Sequence, residues 1–183
     1  MRYKKAMYMR GQYVPDDFVF FWGHRCADPS NPGDACLSNF FPAGMVVDGE
    51  TYSCVEQYMH ARKAALFKDE VTRQRIMDTT NPNQMKELGR QVSGYREKAW
   101  RQAAHDVVYK GVMAKFDQNE VLCKYLLSTD TCILVEASPY DKRWGIGLPA
   151  THTYATVPAL WPGENWLGFT LMEVRDALRE KYK

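Results

Sequence analysis

The sequence lacks the signatures by which many enzyme classes are recognised. Its five cysteines form no CxxC pair, and its four histidines show no HExxH or other metal-ligand spacing. Walker loops, GxGxxG fingerprints and serine-hydrolase elbows are also absent, and no cysteine lies in a recognisable nucleophile motif. These absences argue against structural zinc, a disulfide framework and a nucleotide-binding α/β fold. We therefore predict a protein without a metal site or a cofactor.

The chain also has little net charge and few long apolar runs. It carries 24 basic and 22 acidic residues, a net charge of +2, so no global field requires a polyanionic partner, although a local phosphate site remains open. Residues 1–10 are basic, but no apolar run follows them, which argues against a secretory signal. The apolar stretch at residues 18–22 is too short to span a bilayer. We expect a soluble, cytoplasmic protein with reduced thiols and no membrane partner.

What the sequence does contain is typical of one globular domain. The 183 residues, 45% of them hydrophobic and 25% charged, suffice for a substantial core. Residues 1–17 are polar and basic and end in Pro15-Asp16-Asp17, which predicts an N-terminal arm. The remaining residues, 18–183, are assigned to one folded domain.

Hydrophobic periodicity predicts an α+β fold that is mainly α, with a small β-sheet. Asp48-Gly49 between two extended runs is a strong signal for a β-hairpin. Further strands are predicted at residues 18–22 and 132–135, and loops at 25–35, 138–147 and 151–162. Besides a helix that begins near Ser53, helices are predicted at residues 69–77, 83–92, 97–116, 120–127 and 167–181.

The helix that begins near Ser53 is the first candidate for chemistry. Ser53 and Glu56 have the spacing of a capping box, and Glu56, His60 and Lys63 share the face opposite the apolar arc. Glu56 has two interpretations at this point. It is either a capping carboxylate on a solvated face, or a carboxylate whose ionised form is favoured by the helix N-terminus and that serves as a general base or stabilises a cation. The helical pattern alone does not separate them.

Three loops combine aromatic residues with glycine, at residues 21–24, 141–147 and 161–166. They hold four of the five tryptophans, and glycine allows close backbone approach while aromatic rings supply stacking faces. The pattern indicates a pocket for a flat ligand, although any one tryptophan can equally cover the edge of a core. Asp141 has the spacing of a turn residue. Gly89-Arg90 and Lys63 either meet phosphates or simply end a helix with solvated charges.

Taken together, these segments resemble the NADAR family, the YbiA-like N-glycosidases. The resembling segments follow the family's order over roughly residues 18–180: Leu37-Ser38-Asn39-Phe40, Val55-Glu56-Gln57-Tyr58 with Ala61 and Lys63, Gly89-Arg90, Ala114-Lys115-Phe116-Asp117-Gln118, Leu134-Val135-Glu136, Asp141-Lys142-Arg143-Trp144-Gly145, and Gly163-Glu164-Asn165-Trp166-Leu167-Gly168 with Leu171-Met172. This chain departs from the family at Gln57, where His is frequent, and at His60, where Gln is frequent.

The resemblance implies hydrolysis of an N-glycosidic bond between ribose and a base. The main expectation is removal of ADP-ribose from a modified nucleobase, such as guanine in DNA. Phosphorylated ribosylamino-pyrimidines of riboflavin synthesis are the alternative substrates. The expected partners are therefore ADP-ribose or a phosphorylated ribosyl small molecule, and ADP-ribosylated nucleic acid.

The resemblance also implies the site. Glu56 would stabilise an oxocarbenium-like state or activate water, with Asp141 holding ribose hydroxyls or assisting as a base. The expected ligand-binding residues are Trp22, Gly23, Asn39, Phe40, Lys63, Arg90, Trp144, Gly145 and Asn165. Two hypotheses from other classes remain. A non-catalytic ADP-ribose or nucleotide reader would bind without turnover, and a nucleic-acid-binding module would use the basic arm.

Overall fold

A computed structural model describes residues 1–28 and 30–183, so Pro29 of the predicted 25–35 loop lies outside the described residues. About 49% of the chain is helical. The α-helices and β-strands of the described residues are β1 (Phe18–Phe21), β2 (Met45–Val47), β3 (Glu50–Tyr52), α1 (Val55–Leu66), α2 (Glu70–Met77), α3 (Pro82–Arg90), α4 (Glu97–Asp117), α5 (Glu120–Ser128), β4 (Ile133–Glu136) and α6 (Trp166–Lys181). Short 3₁₀ helices at Lys5–Met7, Pro15–Asp17, Gly33–Leu37 and Pro158–Leu160 make up the rest of the helical fraction. Every predicted bound lies within two residues of the observed one, which confirms the mainly helical α+β fold.

The elements belong to two compact units, one of residues Asn39–Asn119 and one of Met1–Ser38 with Glu120–Lys183. We call them the α1 unit and the β4 unit. The predicted small sheet is a pair of separate two-stranded sheets, one in each unit.

In the α1 unit, the hairpin β2–β3 turns where the sequence predicted it. Asp48 and Gly49 have φ angles of 53° and 82°, as a two-residue type I′ turn requires, and Met45 pairs with Tyr52. The central helix of this unit is α1, which packs against α2, α3 and α4. Because α1 is covered by three helices, seven consecutive residues from Val55 to Ala61 are buried on every side of it.

In the β4 unit, β1 and β4 are parallel neighbours, with Phe18 opposite Ile133 and Phe21 opposite Glu136. All four residues of β4 are buried, and α6 packs on this strand. Because the strands are parallel, the loops after Phe21 and after Glu136 leave the same edge of the sheet. That edge carries the aromatic loops of this unit.

The predicted arm packs on α6 of the same unit. The Tyr8 ring stacks on Phe169 at 5.4 Å, and the Tyr3 hydroxyl donates to Asp176 at 2.6 Å. Burial raises the pKa of Tyr8 to about 12. The division of the sequence at residue 17 stays a prediction. Across the described residues, no helix combines the length and the apolar character that crossing a membrane requires.

Candidate active site

The first turn of α1 is organised by Gln57 rather than by Glu56. Because the helix has Cys54 as its N-cap and begins at Val55, the N3 position belongs to Gln57. The backbone N–H and the hydroxyl of Ser53 donate to Gln57 Oε1 at 2.7 and 3.0 Å. The predicted capping box between Ser53 and Glu56 was therefore wrong, since it placed the helix start one residue too early.

Gln57 also joins α1 to α2. Its Nε2 donates to the carbonyl groups of Ile76, Met77 and Thr79 at 3.1–3.2 Å, where α2 ends and its carbonyls lack helical partners. The side chain is 4% exposed and is satisfied at both ends. It fixes the start of α1 in place.

Freed from capping, Glu56 is a buried carboxylate. It is 4% exposed, and its backbone N–H donates to the Asn39 carbonyl at 3.0 Å. Its Oε1 lies 2.9 Å from His60 Nε2, one turn along the helix, and since a carboxylate only accepts, the ring is the donor. The interpretation of Glu56 as a solvated capping residue was therefore wrong, because the neighbouring helices cover the face that the periodicity left polar.

Two buried polar atoms beside Glu56 have no hydrogen-bond partner among the described residues. They are Nδ1 of His60, which is 7% exposed, and Oδ1 of Asn39, which is 6% exposed. Most buried polar atoms in proteins are paired, so an unpaired one indicates a place for a water molecule, an ion or a ligand. Both orphan atoms belong to residues that contact Glu56.

Gly89 sets the close packing around His60. A Cβ at this position of α3 would lie 2.0 Å from His60 Nδ1, closer than real Cβ contacts. The glycine therefore lets α3 lie directly on the imidazole ring. Gly89 also holds Lys63, whose Nζ donates to the Gly89 carbonyl at 2.6 Å and lies 4.3 Å from the centre of the Tyr95 ring.

The other predicted residues of this unit lie near the surface. Arg90 ends α3 and is exposed. Phe40 is half-buried, with Lys86 Nζ 5.7 Å above its ring.

In the β4 unit, Trp22 directly follows β1 and is 59% exposed. Its ring centre lies 6.3 Å from that of Tyr140, which is 85% exposed and leaves the same sheet edge after β4. Gly23 is exposed and has a φ of 88°, a backbone conformation that favours glycine. Two large aromatic rings are thus presented to solvent next to a glycine whose backbone conformation other residues rarely adopt.

Asp141 shapes its own loop. Its Oδ1 accepts from the backbone N–H groups of Arg143 and Trp144, both at 2.8 Å, which is an Asx-type turn. The Trp144 ring is half-buried and meets Trp166 edge-on, with centroids 5.8 Å apart. The turn holds Asp141 and Trp144 in a fixed relation.

Backbone hydrogen bonds join two motifs that are twenty residues apart in sequence. The donors 164–167 pair with the carbonyls 142–145 as follows: Glu164 to Lys142 at 2.9 Å, Asn165 to Gly145 at 3.1 Å, Trp166 to Arg143 at 3.0 Å and Leu167 to Trp144 at 3.0 Å. Trp166 and Leu167 are the first two residues of α6, so the loop accepts hydrogen bonds from the N–H groups that start the helix. Gly145 is buried, and a Cβ there would lie 2.8 Å from the Glu136 carbonyl.

Asn165 ties this loop to β4. It is fully buried and has a φ of 55°, and its Nδ2 donates to the Leu134 carbonyl at 2.8 Å while its Oδ1 accepts from the Glu136 N–H at 3.0 Å. The side-chain amide thus makes the two backbone hydrogen bonds to β4 that a neighbouring strand would make. The position predicted to bind ligand is occupied by an amide whose oxygen and nitrogen both bond to the strand's backbone.

Sequence reasoning did not select His60, Gln57 or Glu136 for the site. The spacing from Glu56 to His60 carried a signal, since residues four apart on a helix can pair. Glu136 is 8% exposed, and a charged residue that ends an apolar strand was its signal. Trp161, in contrast, belongs to the core, because it is 2% exposed and its indole N–H donates to the Ala155 carbonyl.

No group of three or more His, Cys, Asp or Glu side chains among the described residues is placed to hold a metal ion. A metal-free site stays a prediction.

A sequence model of the NADAR domain matches residues 20–179, which is most of the chain. This protein belongs to the NADAR family. The resemblance inferred from the ordered motifs is thereby confirmed.

Three relatives are similar over most of their length. N-glycosidase R617 of Acanthamoeba polyphaga mimivirus is 39% identical, with 88% of this chain and 96% of the relative covered. Protein irg-1 of Caenorhabditis elegans is 37% identical, with 93% and 87% covered. N-glycosidase YbiA of Escherichia coli (strain K12) is 34% identical, with 78% and 80% covered.

A solved structure has a similar fold. The NMR structure of the E. coli protein YbiA matches with a TM-score of 0.71 at 30% identity, covering 96% of this chain and 93% of that chain.

Proposed function

We propose that this protein is an N-glycosidase that hydrolyses the bond between a ribose and a base. The observation that carries the proposal is the buried pair of Glu56 and His60 at the start of α1, in a family whose members include proteins named N-glycosidases. Burying a carboxylate beside unpaired polar atoms costs free energy, which a folded protein retains where the groups have a function. Catalysis on a bound substrate explains why Glu56 is buried there.

Hydrolysis of an N-glycosidic bond passes through an oxocarbenium-like state in which positive charge develops on the sugar. In the proposal, the Glu56 carboxylate stabilises this charge or activates the attacking water. Glu56 lies in the first turn of α1, next to the partial positive charge of the helix N-terminus. His60 holds one oxygen and thereby fixes the direction of the other.

One of the two orphan atoms, Asn39 Oδ1, fits a sugar. Asn39 Oδ1 can accept from a ribose hydroxyl, and the exposed Arg90 can contact a phosphate. Lys63 is the weaker phosphate candidate, because its ammonium already donates to the Gly89 carbonyl.

In the β4 unit, Asp141 is the second candidate. Its Oδ1 is used by the turn, while its Oδ2 accepts no bond from any described residue and is proposed to meet ribose hydroxyls. Trp144 and Trp22 are proposed to stack on a flat ring. Asn165 and Gly145 are proposed to act indirectly, by holding the loop.

For the substrate, we propose ADP-ribose attached to a nucleobase, guanine in DNA above all, with ADP-ribose released as the product. The test incubates the purified protein with a guanine-ADP-ribosylated oligonucleotide and follows free ADP-ribose by chromatography. A phosphorylated ribosylamino-pyrimidine is run in parallel. Release from the oligonucleotide supports the proposal, and release from the pyrimidine alone assigns the protein to the riboflavin-related substrates instead. Tight binding of ADP-ribose without release from either substrate would make the protein a reader.

A further inference from the structure

Three parts of the α1 unit meet at Lys63. Its Nζ donates to the Gly89 carbonyl at 2.6 Å and lies 4.3 Å from the centre of the Tyr95 ring. The Tyr95 ring in turn meets Phe67 edge-on, with centroids 5.4 Å apart. These contacts bring together the ends of α1 and α3 and the residues before α4.

Each of these three parts carries an exposed basic residue beside the junction. Lys68 follows Phe67, Arg90 follows Gly89, Arg96 follows Tyr95, and Lys98 lies in the first turn of α4. We call these four residues the basic ridge. Within the part of the chain that the structure describes, none of the four side chains has a hydrogen bond or an ion pair.

The acidic groups next to the ridge in sequence accept hydrogen bonds from other described residues. Asp69 accepts from the backbone N–H groups of Thr72 and Ser93 at 3.0 and 2.8 Å, and Glu97 accepts from the Tyr95 hydroxyl. Residues 86–101 contain five basic side chains and two acidic ones. The local excess of positive charge stands out against a chain whose net charge is +2.

The ridge is connected to the proposed catalytic carboxylate by direct packing. His60 bonds Glu56 and lies against Gly89, and Arg90 is the next residue. Glu56 and Lys63 are seven residues apart on α1, about 10 Å along the axis. The contacts of Lys63 with Gly89 and Tyr95 therefore place the ridge on the same side of the α1 unit as the C-terminal end of α1.

We propose that the basic ridge binds the phosphodiester backbone of a single-stranded nucleic acid on which the modified base is presented. The inference rests on the proposed function and adds the surface of the protein that binds the nucleic-acid strand of that substrate. The N-terminal arm is the rival basic segment. Two of its four cations are already engaged, since Arg2 pairs with Asp176 and Lys5 donates to the Trp161 carbonyl.

The experiment compares two double charge reversals that change the net charge equally. R96E/K98E alters the ridge, where neither side chain contributes a described contact. R10E/K4E alters the arm and serves as the matched control. Each protein is assayed on ADP-ribosylated guanine within a single-stranded oligonucleotide and on the corresponding ADP-ribosylated nucleoside. Binding of an unmodified, fluorescently labelled oligonucleotide is measured by anisotropy over a range of salt concentrations.

We expect R96E/K98E to lower kcat/KM on the oligonucleotide about tenfold or more at low salt and to leave turnover of the nucleoside unchanged. The slope of log K against log salt should become shallower by about 0.7 for each phosphate that the variant no longer neutralises. The control R10E/K4E should match the wild type in all three measurements.

Three results would each contradict nucleic-acid binding by the ridge: equal losses of kcat/KM on both substrates, an unchanged oligonucleotide affinity, or the same effect from R10E/K4E. Failure of the proposed function has a different signature, since the wild type would then release ADP-ribose from neither substrate. The anisotropy measurement still tests whether the ridge binds nucleic acid in that case, because it requires no turnover.

Discussion

The two regions that hold the candidate residues treat their buried polar groups in opposite ways. At the start of α1, Glu56 is buried beside two polar atoms, on His60 and Asn39, that lack partners among the described residues. In the loop after β4, Asn165 is more deeply buried, but its amide oxygen and nitrogen both bond to the backbone of the strand.

This difference distinguishes polar groups that are available to bind a ligand from polar groups that stabilise the fold. A satisfied buried amide stabilises the fold, whereas an orphan buried atom costs free energy until a ligand or water pairs with it. We therefore expect substitutions near Glu56 to change activity more than stability. Substitutions at Asn165 should change stability first.

The largest expected effect is that of Glu56→Gln. The neutral amide keeps the shape of the side chain but cannot stabilise positive charge at the sugar, so kcat should fall roughly 10²–10⁴-fold, the usual scale for an acid–base group. Steady-state release of ADP-ribose measures it. Glu87→Gln, at an exposed position of α3, is the control and should leave kcat unchanged. Full activity of Glu56→Gln would show that the start of α1 is not the catalytic region.

The next effect is that of Asn165→Ala. It leaves the Leu134 carbonyl and the Glu136 N–H buried without partners, and it places alanine at a φ of 55°. We expect a loss of about 2–4 kcal/mol in the free energy of unfolding, measured with chemical denaturant. Asn165→Gly tolerates the positive φ and should recover about 1 kcal/mol of it. A loss of activity in Asn165→Ala at unchanged stability would give Asn165 a direct ligand role instead.

Gly89→Ala tests the packing that confines His60. The new Cβ would meet the imidazole at 2.0 Å, so the ring or α3 must move, and overpacking of this kind costs about 1–3 kcal/mol. The higher helix propensity of alanine offsets about 1 kcal/mol of this cost. The expected result is a modest drop in thermal stability together with a lower kcat. Gly44→Ala has open space for its Cβ and is the matched control. If Gly89→Ala behaves like Gly44→Ala, the His60 ring is not held as described.

The smallest effect is expected at Asp69, the N-cap of α2. Hydrogen bonds from the backbone N–H groups of Ser93 and then Thr72 lower the pKa of this carboxyl well below its usual value. Because the folded pKa lies below the unfolded one, the stabilisation is present above about pH 4 and is lost as the pH falls further.

The variant Asp69→Asn should therefore be less stable than the wild type at neutral pH, and the difference between their Tm values should shrink in acid. Thermal unfolding between about pH 2 and pH 7 measures the trend. Glu87→Gln should show no such convergence. A constant difference across this pH range would contradict the assignment.

The sequence predicted the elements because local signals set them. Asp48-Gly49 placed the β2–β3 turn, since few residue pairs adopt two positive φ angles in succession. The periodicity of residues 97–116 placed α4 within one residue at each end. The sequence did not predict the division into two compact units, because that division depends on contacts between segments that are distant in sequence.

The candidate site was only half predictable. Glu56 was selected, but its partner was not, because the helical pattern assigned Glu56 and His60 to a polar and therefore solvated face. That face is buried because three other helices surround α1. Asn165 was predicted as a ligand contact from its motif alone, and nothing in the sequence indicated that its amide bonds at both ends to the backbone of β4.

By itself, the sequence determined which segments fold into helices and strands and, through its ordered motifs, the family to which the chain belongs. Only the tertiary structure decided which of its polar side chains are scaffolding and which are left to meet a ligand. The reason is physical: periodicity records which residues an element turns away from its own apolar face, whereas burial and hydrogen bonding depend on what packs against that element.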